Sequence, residues 1–256
     1  MSRPARRAAH GAVEVAREGA VCSLTLVGGA DGPCLTPELH AELAGAAAEI
    51  DLDEDVRVVV LRARGAAFCR ESDVPSSPAG AVADGIAAVA ALRVPVVCLL
   101  QGDALDAGLE LALACDLRLA APRARLGLTQ IARGTLPRHG GTQRLPRVVG
   151  AARALHMLLL AEPVASTRAL QIGLVHRLVP SRSLFAEGAR LASRLAERGP
   201  IAQRLAKEAM LAAFDLPLAE GLRLEGDLYV LLQATHDRDE GIASFREKRR
   251  PRFENR

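Results

Sequence analysis

Apolar runs containing β-branched residues fall at 12–16, 20–27, 56–61, 94–100, 117–120 and 175–179. Runs of this length between polar or turn-forming stretches predict strands. Between them the apolar spacing changes from runs to a helical period. At 36–50, Thr36 is placed to cap a helix, Pro37 suits its first position and Glu38 its first turn. Leu39, Leu43, Ala46 and Ile50 then share one face. Further helical patterns cover 107–115, 141–148, 151–160, 166–172, 183–198, 200–213 and 217–234, with Gly173 as a C-terminal glycine. Strands alternating with helices predict an α/β core, and after about residue 180 the pattern is helical only. The expected division is an N-terminal tail (1–11), a core (12–198) and a helical C-terminal region (199–256). Residues 71–85, rich in Pro, Ser, Gly and Ala, read as a loop, either a cover over a ligand or a plain surface connection.

Composition narrows the class. Half of the 256 residues are hydrophobic, with no Trp, one Tyr and five Phe, so the core is aliphatic. The net charge is +3 with both signs interspersed, which is not the footprint of a nucleic-acid binder. Five cysteines show no metal-type spacing and read as reduced thiols, with no zinc site and a cytoplasmic location. No apolar run reaches membrane-spanning length. The basic start, MSRPARRAAHGA, lacks the apolar centre of a secretory signal and reads as a flexible tail, with a short transit peptide as the alternative.

Candidate chemistry sits at two turns. The run VPVVCLL (94–100) leads through small residues into the helical AGLELALACD (107–116), and VRVVVL (56–61) leads to FCRESD (68–73). A strand that turns into a helix leaves the first helical N–H groups unpaired, and these suit an anionic oxygen. Two such turns aimed at one oxygen would form an oxyanion hole.

With these residues on the page, the chain resembles the enoyl-CoA hydratase/isomerase (crotonase) superfamily, from about Val13 to Phe253. The resemblance is carried by GLELALACDLRLAA (108–121), HGGTQRLPRVVG (139–150), IGLVHRLVP (172–180) and EGIASFREKRRPRF (240–253). It implies a spiral of ββα units followed by a helical C-terminal trimerisation region, and a homotrimer or hexamer. It also implies an acyl-CoA thioester as substrate, coenzyme A entering only as part of that substrate, and no metal or other cofactor. Neither nucleic acid nor membrane is expected as a partner.

The resemblance places the oxyanion donors at the backbone N–H groups of Ser72 and Ala107, where the family has mostly Ala and Gly. It matches Glu110 to the first catalytic glutamate and Gln130 to the second. An amide orients water but is no general acid or base, so the two-carboxylate hydratase mechanism does not carry over intact. Asp106, Glu71 and His139 are the candidate acid/base substitutes. Each also has a simpler reading: Asp106 as the cap of the helix starting at Ala107, Glu71 as a solvent-facing side chain, His139 as a holder of a loop carbonyl. Cys34, Leu35, Arg70, Asp73 and Val74 are the candidate CoA or substrate contacts. Arg70, Arg138 and Arg144 suit phosphates or are solvated surface. The leading expectation is an enoyl-CoA hydratase or isomerase with Glu110 as acid/base. The alternative is a CoA-thioester binding protein with little or no catalysis, and RNA binding, also found in the family, has little support from the charge pattern.

Overall fold

The computed structural model describes residues 12–71 and 84–256. Strands β1 (Ala12–Glu18) and β2 (Val21–Val27) form an antiparallel hairpin. A strand–strand–helix unit then recurs. The first comprises β2, β3 (Cys34–Leu35) and α1 (Pro37–Leu52). The second comprises β4 (Val58–Ala63), β5 (Arg70–Glu71) and α2 (Gly85–Ala91). The third comprises β6 (Val96–Leu100), β7 (Ala104–Leu105) and α3 (Ala107–Ala114). The fourth comprises β8 (Leu117–Ala120), β9 (Arg125–Gly127), a 3-10 turn at Gln130–Arg133 and α4 (Gly141–Val149).

Each unit's long strand joins one sheet, and its short strand pairs outside that sheet. The six-stranded sheet runs β1-β2-β4-β6-β8-β11, all parallel after the first hairpin, with β11 spanning Arg177–Leu178. The short strands pair as β3-β5 and as β10-β9-β7, where β10 is Val164–Ala165. A bridge between Cys69 and Ala104 links these two small sheets. This is the expected spiral. No sequence repeat reveals it, because its short strands are only two or three residues long.

The long strands are apolar on both faces because both are covered. On β4, Val59, Leu61 and Ala63 face the larger core with α1 and α2, while Val58 and Val60 face a second core. On β6, Val96, Cys98 and Leu100 alternate with Val97 and Leu99 in the same way. The second core is closed by Leu184 and Ala192 of α7 (Leu184–Ala196). The remaining helices are α5 (Ala151–Leu160), α6 (Ser166–Gln171), α8 (Pro200–Ala212), α9 (Leu218–Gln233) and α10 (His236–Glu247).

Thr36 caps α1 by accepting a bond from Leu39 N–H at 3.3 Å, as its position predicts. Two α-helices carried no sequence prediction: α2, capped by Asp84, and α10, capped by Thr235. Lys207 of α8 ties the C-terminal helices to the sheet, donating to the Asp116 carboxylate at 2.7 Å and to Val94 O at 3.0 Å. All five cysteines are free thiols, and only Cys34 is exposed. Among the described residues no helix is long and apolar enough to cross a membrane.

Candidate active site

The site forms where α3 begins. Gly108 lies against the β4–β5 connection so closely that a Cβ there would stand 2.0 Å from Cys69 O. Only glycine permits this approach, which brings the Ala107 turn alongside the segment leading into Ser72. Ala107 is the first helical residue of α3 and is buried. Ser72, Asp73 and Val74 lie outside the described residues, as does most of the loop expected at 71–85. Glu71 enters β5. The other proposed ligand contacts come together, since Cys34 pairs with Arg70 and Leu35 with Glu71 across β3 and β5. Leu35 points into the core, so only its backbone is available to a ligand.

One turn into α3, Glu110 is fully buried. Its Oε1 accepts bonds from His139 N–H at 2.7 Å and Gly141 N–H at 2.8 Å, where α4 begins. A carboxylate at a helix N-terminus is held by unpaired amides and the helix dipole. Its Oε2 accepts from Gln130 Nε2 at 3.3 Å. Gln130 is also fully buried, and its Oε1 has no donor among the described residues. The two residues matched to the family's glutamates thus meet, 20 positions apart in the chain.

Asp106 departs from expectation. It holds the capping position of α3, but its side chain makes no capping bond. Its backbone lies at φ 55° and ψ −121°, near the first central position of a type II′ turn, where glycine is favoured. Holding another residue there costs on the order of 1–3 kcal/mol. The carboxylate turns away from the helix start. It accepts from Thr129 N–H, from Thr129 Oγ1 at 2.9 Å and from Arg133 Nη2 at 3.0 Å. Arg133 therefore opposes the negative charge that would otherwise sit beside Ala107 N–H. Nothing in the sequence marked Thr129 or Arg133.

His139 also differs from its simpler reading. Its ring faces Asp84 rather than a loop carbonyl, with Nδ1 3.3 Å from Oδ2, and stacks on His40 with centroids 4.6 Å apart. Its own carbonyl accepts from Arg144 Nη1 at 2.7 Å, so Arg144 braces the loop. His40, Asp84 and His139 each offer a metal-ligand atom within 4.8 Å of the others. Hydrogen bonds already account for these groups. His40 Nδ1 accepts from Gly85 N–H, and Asp84 Oδ1 caps α2 through Ile86 and Ala87. Asp84 followed by glycine and an apolar run was a legible capping signal; His40 had none.

Burial pushes the His40 imidazole down to about 4, His139 and Arg138 act in the same direction, and Asp84 opposes them. The unfolded chain binds this proton near 6.5, whereas the folded chain resists it. The contribution of His40 to stability is therefore complete above about pH 6.5 and is lost as pH falls toward 4. Thermal unfolding followed across that window should show a falling Tm, with a shallower slope in His40→Gln. His176, lowered by burial and by Arg118, has the same sign and keeps the slope from vanishing. An unchanged slope in the variant would remove His40 as a cause.

The family described as Enoyl-CoA hydratase/isomerase matches residues 16–256. A probable enoyl-CoA hydratase of Mycobacterium tuberculosis (strain CDC 1551 / Oshkosh) is 36% identical over 230 residues, covering 87% of this chain and 90% of the relative. The (E)-benzylidenesuccinyl-CoA hydratase of Thauera aromatica is 35% identical over 229 residues, covering 86% and 90%. The solved structure of enoyl-CoA hydratase subunit I from Geobacillus kaustophilus HTA426 superposes with a TM-score of 0.89 at 36% identity. That match covers 96% of this chain and 99% of the other.

Proposed function

Because the chain belongs to the enoyl-CoA hydratase/isomerase family, we propose that it hydrates an enoyl-CoA or moves its double bond by way of a thioester enolate. The observation that carries this reading is the buried Glu110–Gln130 pair one turn beyond Ala107. Ala107 N–H, with Ser72 N–H as its expected companion, would stabilise the enolate oxygen. His139 and Gly141 hold Glu110 Oε1 in place, and Oε2 is the oxygen that moves the proton. In isomerisation Oε2 takes a proton from the α-carbon of a 3-enoyl thioester and returns it to the γ-carbon. In hydration Oε2 takes a proton from water as the oxygen adds to the β-carbon, and the same proton then goes to the α-carbon. Gln130 would hold that water through Oε1, a buried acceptor without a donor among the described residues. Both routes move protons without net oxidation or reduction. They need neither redox cofactor nor metal, and coenzyme A stays part of the substrate.

A second reading is favoured by the amide of Gln130, which stands where the resemblance expects a carboxylate. In that reading the protein binds CoA thioesters with little turnover. Mass spectrometry on a panel of 2-enoyl-, 3-enoyl- and dienoyl-CoA substrates in heavy-oxygen water separates the readings. Oxygen uptake establishes hydration, and double-bond movement without uptake establishes isomerisation. Tight binding with no product after long incubation supports the binding protein and sinks the enzyme.

The C-terminal helices bear on assembly. Met210, Leu211, Phe214, Leu222, Tyr229 and Val230 of α8, α9 and their connection are exposed. Apolar surface on this scale fits a homo-oligomeric contact, and we assign it to copies of this chain in a trimer or hexamer. Light scattering is expected to return three or six times the chain mass. A monomer at micromolar concentration would refute the assignment.

A further inference from the structure

We propose that Asp106 is a positioning residue, whose carboxylate locks the Thr129–Arg133 turn to the start of α3 and so aligns Ala107 N–H with the Gln130 amide. This inference rests on the proposed enolate chemistry and extends it to a side chain that makes no capping bond to its own helix. Three observations meet at one residue. First, ψ of Asp106 sets the plane of the peptide that carries Ala107 N–H, and that ψ is −121° with φ at 55°. A non-glycine residue keeps such torsions only where its surroundings fix them. Second, the surroundings that fix it are specific. Asp106 N–H donates to Gly127 O at 2.8 Å, and the carboxylate accepts from Thr129 and Arg133. Third, these partners bracket Gln130, which follows Thr129 directly and begins the 3-10 turn that Arg133 ends. The same turn delivers Gln130 Nε2 to Glu110 Oε2.

One buried carboxylate therefore connects the candidate oxyanion donor to the amide beside the candidate base. Turning the carboxylate outward would free the 106–107 peptide to rotate and the turn to drift from Glu110. Glycine at this position would hold the torsion without strain but would lose the tie to the turn. Asparagine tolerates positive φ, and its carbonyl oxygen still accepts from Thr129 N–H.

The test compares the unaltered protein with Asp106→Gly and Asp106→Asn. Three quantities are measured: Tm, the split between kcat and KM, and the absorbance of a bound 3-aryl-enoyl-CoA, which shifts to the red when its thioester carbonyl is polarised. Asp106→Gly is expected to keep Tm and KM close to the unaltered values. Its kcat should fall by about 10- to 100-fold, and its red shift should shrink. Asp106→Asn should recover most of both. A glycine variant with full kcat and full red shift overturns the inference. Equal losses in both variants also overturn it, because they trace the effect to the charge rather than to the tie. If the unaltered protein shifts the chromophore without turning any substrate over, the enzymatic reading fails, and the shift in the two variants still decides the role of Asp106. No shift and no turnover in the unaltered protein defeats both.

Discussion

Glu110→Gln is expected to lower turnover by about 10²- to 10⁴-fold while leaving the affinity for a saturated acyl-CoA nearly unchanged. The substitution removes the carboxylate proposed to move the proton. The new amide still offers an oxygen to His139 and Gly141 N–H, which hold Oε1 at 2.7 and 2.8 Å. Its NH₂ faces Gln130, whose Oε1 lacks a donor among the described residues and can swing to accept. The fold thus has a way to satisfy the replacement, so a loss of activity would not be a loss of structure. Turnover from steady-state kinetics and affinity from calorimetry decide the matter. A variant as active as its parent would take Glu110 out of the mechanism. A variant that no longer binds would make Glu110 a binding residue.

Gly108→Ala is expected to damage both stability and chemistry. Its Cβ would lie 2.0 Å from Cys69 O and 2.5 Å from Cys69 C, and both are backbone atoms. No side-chain rotation relieves such contacts, so α3 must move away from the β4–β5 connection. Overpacking against a fixed backbone costs about 3 kcal/mol, which for a chain of this length lowers Tm by roughly 6–12 °C. The same movement separates Ala107 N–H from the segment that leads to Ser72, and a displacement of about 1 Å can cost 100-fold in rate. Gly45→Ala, on α1 with nothing within 4 Å of the added methyl, is the control. It should hold or slightly raise Tm, because alanine is the better helix residue. If both variants melt together, the close approach at Gly108 has no structural consequence.

The long elements were legible because each is fixed by its own neighbours in sequence. Thr36 and Pro37 start α1 where the residues require it, and the apolar runs at 56–61 and 94–100 overlap β4 and β6. The short strands β3, β5, β7, β9 and β10 were not legible. Two or three residues carry no period, and only partners from other units define them. Helices α2 and α10 were missed although Asp84 and Thr235 both make side-chain capping bonds.

The same division runs through the site. Sequence by itself determined the family resemblance, the positions matched to the two catalytic residues, and the exchange of one carboxylate for an amide at Gln130. It also determined that the central strands are continuous apolar runs. Only the tertiary structure decided where the charges point. It turned Asp106 from a cap of its own helix into a clamp on a turn 23 residues away, and set Arg133 against it. It aimed the His139 ring at Asp84 and gave its N–H to Glu110. A helix start or a strand is chosen by torsional preference and burial over a few adjacent residues. The direction of a buried carboxylate is chosen by whichever donors the folded chain brings within 3 Å, and those donors come from elements that only folding makes neighbours.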